Sequence, residues 1–369
     1  MDTPKKITDI QTAAIVMSSI IGVGVLPLPL FAVRGGNTAA PIVTLIGITI
    51  ALFGLLIITK LGMRHPTKSI IGYSEEILGK WLGRFCNIIV ILFFALLTGL
   101  GAREFGAVVI TAILSETPIE VTVLVMLLLA AITSRNDLNT FAYIHTFYLP
   151  VILSPVVIIV VLSLQNANIL YLQPLLGDDM SDMIKGSLTI AALCQWSFVL
   201  TIIIPSMLNP KRAMKAGMTG LLIAGGILLM LVVASLAVFG AEETKKLLWP
   251  TLDLARTTSL PGNLLQRLDV VFLTVWVTAV FTTLFSGYTF TCHALSGLFK
   301  LRDHKMFSFS LLPIIFIFSM LPGNLLEMYK IIEVVGRIGL ILTIVYPCLL
   351  LGIDLIRKKR GKRSATAKT

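Results

Sequence analysis

Ser18-Ser19-Ile20-Ile21-Gly22-Val23-Gly24-Val25-Leu26-Pro27-Leu28-Pro29 lies inside the first long apolar run, Ile10 to Val33. A helix crossing a bilayer avoids two glycines and two prolines this close together. Each glycine disfavours helix by about 1 kcal/mol and a proline by about 3 kcal/mol. Proline also removes a backbone donor. In lipid, unpaired backbone is tolerated only where it is buried in protein or lines a cavity. The stretch therefore reads as a break in a membrane helix that faces a site. The plainer alternative is a kinked helix packed through its small residues.

The surrounding chain supports the membrane setting. Its 369 residues are 56% hydrophobic and 13% charged, with mean hydropathy +0.93. Apolar runs of 18 or more residues recur along the whole length, the mark of an all-α integral membrane protein. The first run is too long for the apolar region of a cleaved signal peptide, so it is expected to be retained. Ten spans are expected: 9–33, 40–62, 82–114, 119–134, 141–164, 186–207, 213–240, 266–299, 307–321 and 329–356. The fourth and ninth are short. The third and eighth exceed the ~20 residues a bilayer needs and should tilt or protrude.

The net charge of +11 raises a nucleic-acid reading, which its distribution removes. With the N-terminus inside, 21 lysines and arginines fall on the inner side and 7 on the outer, while Arg103 and Arg337 are intramembrane. Seven of the inner ones stand in the tail 357–369. The bias places both termini in the cytoplasm and adds attraction to the anionic surface of the bilayer. No nucleic-acid partner is implied. Cys86, Cys194, Cys292 and Cys348 are scattered through apolar segments without a CxxC and read as small hydrophobes.

Ten spans divide into five and five, 9–164 and 186–356, in one transmembrane domain with a basic tail. An odd number of spans per half inserts the halves in opposite senses. Inverted repeats of this kind build midplane sites from discontinuous helices at corresponding positions. The counterpart of the first break falls in the sixth span, at Ala192-Leu193-Cys194-Gln195-Trp196-Ser197 with Pro205 following. It contains no glycine, so the second break is weakly signalled. On the outer side, Glu242 to Leu265 is the longest connection; it reads as an ordered loop or as a short surface helix over a vestibule. Asp178, Asp179 and Asp182 mark the other outer loop.

Ile21-Gly22-Val23-Gly24-Val25-Leu26-Pro27-Leu28-Pro29 resembles the first-helix break of the amino acid–polyamine–organocation transporters. More specifically, the chain resembles the B subunits of bacterial spore germinant receptors. The stretches that carry this are Leu78 to Gly83, Ala102-Arg103-Glu104-Phe105 with Thr117-Pro118, and Leu172 to Leu175 with Gly177. Further along come Leu248-Trp249-Pro250-Thr251, Arg267, Val275-Trp276 and Phe281-Thr282-Thr283. The likeness runs from about Ile7 to Arg357. It implies a LeuT-like fold with ten helices in a 5+5 inverted repeat, the first and sixth broken. It also implies the spore inner membrane, A and C receptor subunits as partners, and a small nutrient ligand such as an amino acid. The chain departs from the superfamily in the sixth helix, where the usual glycine is missing.

A broken helix offers free N–H groups and a positive dipole end suited to a carboxylate. Gly22, Val23 and Gly24 would supply them. Carbonyls of the sixth span near Cys194 and Ser197 would accept from a ligand ammonium. The third and eighth spans should supply the walls, through Phe93, Leu97, Thr98, Thr282 and Thr283. A threonine hydroxyl bonded to its own helix is the alternative for the last two, and core packing is the alternative for Phe93 and Leu97. On this reading Gly22→Ala folds normally and loses ligand.

Arg103 and Glu104 in the third span, and Glu333 and Arg337 in the tenth, are intramembrane charges. Insertion scales put the cost of each at roughly 2.5–3.5 kcal/mol, so they should pair or face water. They read as a structural network, with Arg103 pairing Glu333, or as a gate. His145 and His293 read as satisfied histidines near span ends. No enzyme, cofactor or metal motif appears. Three functions remain to weigh: a sensor that kept a transporter fold, an active amino-acid transporter, and a membrane enzyme without a motif. Proton-driven relatives often carry a lysine in the fifth span, and Tyr148 to Leu164 has no charge. A sodium site built from first-helix carbonyls with Thr282, Thr283 or Ser286 stays open.

Overall fold

The computed structural model describes residues 6–174, 179–258 and 268–366. Leu175, Gly177, Asp178, Arg267 and the end of the 242–265 connection lie outside the described residues. Within them the chain is nearly all helix. Helix lies over each of the ten apolar stretches, but by length and composition seven segments qualify as spans. They are Leu28–Arg64, Lys80–Ala112, Leu138–Asn166, Met180–Ser206, Pro210–Thr244, Asp269–Phe299 and Leu325–Arg357. Ile119–Thr133 and Lys305–Ser319 are apolar but shorter, and the first stretch is divided by its break. Leu45, Phe53, Leu92, Leu124, Val161 and Ile317 are among the many large apolar side chains that stand exposed. A soluble monomer does not carry so much apolar surface; here it meets lipid.

Helix α1 (Asp9–Ile20) begins at a capping box. The Thr8 hydroxyl accepts from Gln11 N at 3.3 Å, and Gln11 Oε1 accepts from Thr8 N at 2.9 Å. After the break come α2 (Leu28–Gly36), with Pro29 in its first turn, and α3 (Ala40–Arg64). A short inner helix, α4 (Ile70–Leu78), follows; the sequence reading contained none there. It ends at Gly79, whose φ of 90° suits only glycine, and the chain turns straight into α5 (Lys80–Ala112). Then come α6 (Ile119–Thr133) and α7 (Leu138–Ser163). Asp137 caps α7, and its bond from the Thr140 hydroxyl holds its carboxyl below the usual range.

The sixth span is broken as well. Helix α8 (Met180–Leu193) passes into six residues of 3-10 geometry, Cys194–Val199, before the single turn α9 (Leu200–Ile203). Next come α10 (Ala213–Thr244), a short α11 (Pro250–Thr257), α12 (Leu268–Phe299), α13 (Lys305–Ser319), α14 (Leu325–Leu340) and α15 (Tyr346–Thr366). Five π-helical residues, Ile341–Val345, join the last two. The helix α11 decides the open choice on the outer side, since Pro250, Thr251, Leu252, Leu254 and Ala255 are all buried.

Two groups of helices make the body. In one, α1, α2 and α3 pack with α8 and α10. In the other, α5, α6, α12 and α13 pack together. Helix α7 bridges them through α1 and α12, and α14 bridges them through α8 and α5. Both breaks therefore lie between the groups. Close approach depends on glycine at one crossing: a Cβ on Gly35 of α2 would stand 2.6 Å from the Gly186 Cα of α8. Arg64 Nε donates to Asp354 at 2.5 Å and ties α3 to α15.

Candidate ligand site at the helix breaks

Breaking α1 frees the carbonyls of its last turn, and buried backbone must find partners. The eighth span supplies them. The Thr282 and Thr283 hydroxyls donate to Ser18 O and Ser19 O, each at 3.0 Å, and to Ala279 O of their own helix. The Trp276 indole N–H donates to Gly22 O at 3.1 Å. These threonines thus cap the inner half of the first span. Behind them, buried His145 of the fifth span meets Ser18 Oγ at 2.5 Å and Ser286 Oγ at 3.3 Å. His145 is satisfied, but in the core rather than at an interface. His293 stacks on His304 with ring centres 3.9 Å apart.

The outer side of the break is held by the cap helix. Thr251 Oγ1 donates to Val25 O at 2.8 Å. The neighbouring Trp249 indole N–H donates to the Tyr329 hydroxyl at 2.7 Å, tying α11 to α14. The sixth-span break is satisfied by a side chain. Gln195 Nε2 donates to Ala192 O at 2.8 Å and to Gly336 O at 3.0 Å. A buried amide thus replaces the backbone freedom that glycine gives elsewhere.

Both breaks meet at one cavity of about 40 Å3, smaller than the ~300–1,000 Å3 of small-molecule pockets, so a ligand must widen it on entry. Val23 and Gly24 line it from the first span; Thr189, Leu193 and Trp196 from the sixth; Leu97, Gly101 and Glu104 from the third; Ile332 and Gly336 from the tenth. The fourth wall is therefore the tenth span, not the eighth, because the eighth is engaged in capping α1.

The expected site residues separate accordingly. Val23, Gly24 and Leu97 come together at the cavity. Gly22 lies behind it, in a crevice with Pro155 and Trp276. Thr98 bonds its own Phe94 O at 2.7 Å, and Phe93 packs in the core against Phe94. Cys194 and Ser197 line a separate crevice of about 20 Å3 with Gly54, Leu340 and Thr343. Thr189 and Gly336 were not singled out in the sequence, and Trp196 stood there only within the expected break and not as a wall residue. Their signal there was faint: Trp196 and Thr189 belong to the one span whose apolar run contains Gln195.

The charges also rearrange. Glu333 pairs with Arg337 at 2.9 Å, as the i,i+4 spacing allows, and approaches Arg34 at 3.9 Å. Arg337 Nε donates to Thr189 Oγ1 at 2.9 Å. With Asp182 and Lys185 these groups line a crevice of about 160 Å3 that shares Thr189 with the central cavity. Arg103 does not pair with Glu333. Its guanidinium reaches Pro322 O at 3.2 Å and Met320 Sδ at 3.4 Å. Consecutive residues on a helix point about 100° apart, so Arg103 leans toward the α13–α14 connection while Glu104 turns into the cavity. Arg103→Ala and Glu333→Ala should therefore lower the thermal midpoint additively. A double variant milder than either single one would restore the pairing.

The family model described as spore germination protein matches residues 6–328. Spore germination protein YndE of Bacillus subtilis is 28% identical over 97% of this chain and 98% of its own. Spore germination protein A2 of the same organism is 27% identical over 89% and 90%. Spore germination protein GerLB of Bacillus cereus is 24% identical over 94% and 93%. Among solved structures, the nucleobase-cation-symport-1 transporter MHP1, closed on bromovinylhydantoin, superposes with TM-score 0.71 at 14% identity, covering 92% of this chain and 78% of that one. An outward-open sodium-coupled sialic acid symporter gives 0.67 at 10% identity, with the same coverage of 92% and 78%. Likeness at that identity carries the fold: the LeuT-like arrangement with broken first and sixth helices. The chain belongs to the spore germination protein family, as a multi-pass membrane protein on a transporter fold.

Proposed function

We propose that this chain is the membrane subunit of a spore germinant receptor that binds a small nutrient, an amino acid, and triggers germination. The observation that carries the reading is the cavity where both helix breaks meet, lined by Val23, Gly24 and Trp196. On this reading the halves 9–164 and 186–356 form the inverted repeat, both termini face the cytoplasm, and the protein sits in the spore inner membrane with A and C subunits. Active amino-acid transport is the second reading, favoured by the transporter fold alone. The hydroxyls of Thr282 and Thr283, the sequence's candidates for a sodium site, are instead donated to Ser18 O and Ser19 O. That weighs toward sensing.

Gly24 tests the site. A Cβ there would lie 2.9 Å from Leu193 Cδ2, the end of a flexible side chain. Gly24→Ala should fold, because Leu193 can turn aside, and should narrow the cavity. Spores that rely on this receptor should then need at least about tenfold more nutrient, about 1.4 kcal/mol in affinity. An unchanged dose response at normal protein level would remove the cavity from the account.

A further inference from the structure

We propose that Glu104 is the counter-charge for an amine on the ligand of the central cavity, so that the cavity takes a molecule with a free ammonium group. The inference rests on the reading of that cavity as the ligand site. Glu104 is 3% exposed and lines the cavity. Its one polar partner among the described residues is the Tyr329 hydroxyl, at 3.5 Å. That hydroxyl already accepts from Trp249. The basic groups nearby are engaged elsewhere: Arg103 with Pro322 O, and Arg34 and Arg337 with Glu333.

A carboxylate withdrawn from water is costly unless it meets a cation and hydrogen-bond donors. An ammonium supplies both. Val23 and Gly24 of the first-span break line the same cavity. A ligand that carries an ammonium places it against Glu104, with the rest of the molecule between the two breaks. This assigns the ammonium to the third span rather than to carbonyls of the sixth, of which Ala192 O is taken by Gln195. It also links the ligand to the cover, because Glu104, Tyr329 and Trp249 form one chain of contacts ending at α11.

The test is thermal stabilisation of the purified full chain by each of the twenty L-amino acids, by the 2-hydroxy acids that replace each amino group with a hydroxyl, and by glucose and uridine. At least one amino acid should stabilise the protein, and its 2-hydroxy counterpart should not. Glu104→Gln keeps the shape and the tyrosine contact while removing the charge. It should weaken binding of that amino acid at least about thirtyfold. Equal binding of the 2-hydroxy acid, binding by Glu104→Gln within threefold of wild type, or stabilisation by glucose or uridine alone would overturn the proposal and leave the cavity standing. If Glu104→Gln fails to fold, the amino acid against 2-hydroxy acid comparison on wild-type protein decides. Stabilisation by none of these compounds would overturn the cavity reading itself, and this inference with it.

Discussion

Gly22→Ala should abolish most of the folded protein. A Cβ at Gly22 would overlap the Thr283 hydroxyl and come within 2.7 Å of Ala279 O. The Thr283 hydroxyl is one of the groups that cap the inner half of the first span, and Ala279 O is backbone and cannot turn aside. The substitution pushes α1 and α12 apart at their tightest point and breaks the Thr283 and Trp276 bonds together. Overpacking a well-filled core costs about 1–3 kcal/mol, and more when backbone must move; about 3 kcal/mol or more is expected here. The ~1 kcal/mol gained in helix propensity acts at a point where the chain is not helical, and does not offset this. Protein recovered from membranes should fall severalfold, and the remainder should melt earlier. Gly24→Ala, two residues on, should be recovered normally. Gly22→Ala at wild-type level and midpoint would contradict the packing described. Read from sequence, Gly22→Ala is expected to fold and lose only ligand; the contacts around Gly22 predict instead that it loses the fold.

Gly186→Leu should be as damaging. Gly186 of α8 faces Gly35 of α2, and a Cβ would meet the Gly35 Cα at 2.7 Å and Val43 Cγ1 at 3.1 Å. A leucine there separates the outer halves of the first and sixth spans, which also frame the cavity. We expect loss of the folded protein at 37 °C, measured as recovery in detergent and as thermal midpoint. Gly226→Leu is the control, because nothing lies within 4 Å of a Cβ at Gly226. It should be neutral, or stabilising by up to ~1 kcal/mol through helix propensity. Equal behaviour of the two variants would show that the α2–α8 crossing is looser than described.

The first break was legible because its cause is local: two glycines and two prolines disfavour helix wherever they stand. The second was legible only through its correspondence to the first in an inverted repeat, and weakly in its own residues, because its cause is a tertiary contact. Gln195 holds open the turn at Ala192 by reaching Gly336 on α14, and no window of sequence shows that partner. The threonines show the same limit. Thr282 and Thr283 have the residue type for a pocket wall, yet whether a hydroxyl meets a ligand or a neighbouring carbonyl depends on which helix lies opposite. Glu104 was visible as an intramembrane charge, but adjacent Arg103 and Glu104 point to different faces, and only the packing of α5 decides which one meets the cavity.

The central claim is that this transporter fold senses rather than pumps. It is tested most directly by saturable binding of radiolabelled amino acids to the purified protein, followed by uptake into liposomes with and without sodium and proton gradients. The account predicts saturable binding without gradient-driven accumulation. Accumulation against a gradient would make the protein a transporter, and absence of saturable binding for every amino acid would contradict the cavity as its ligand site.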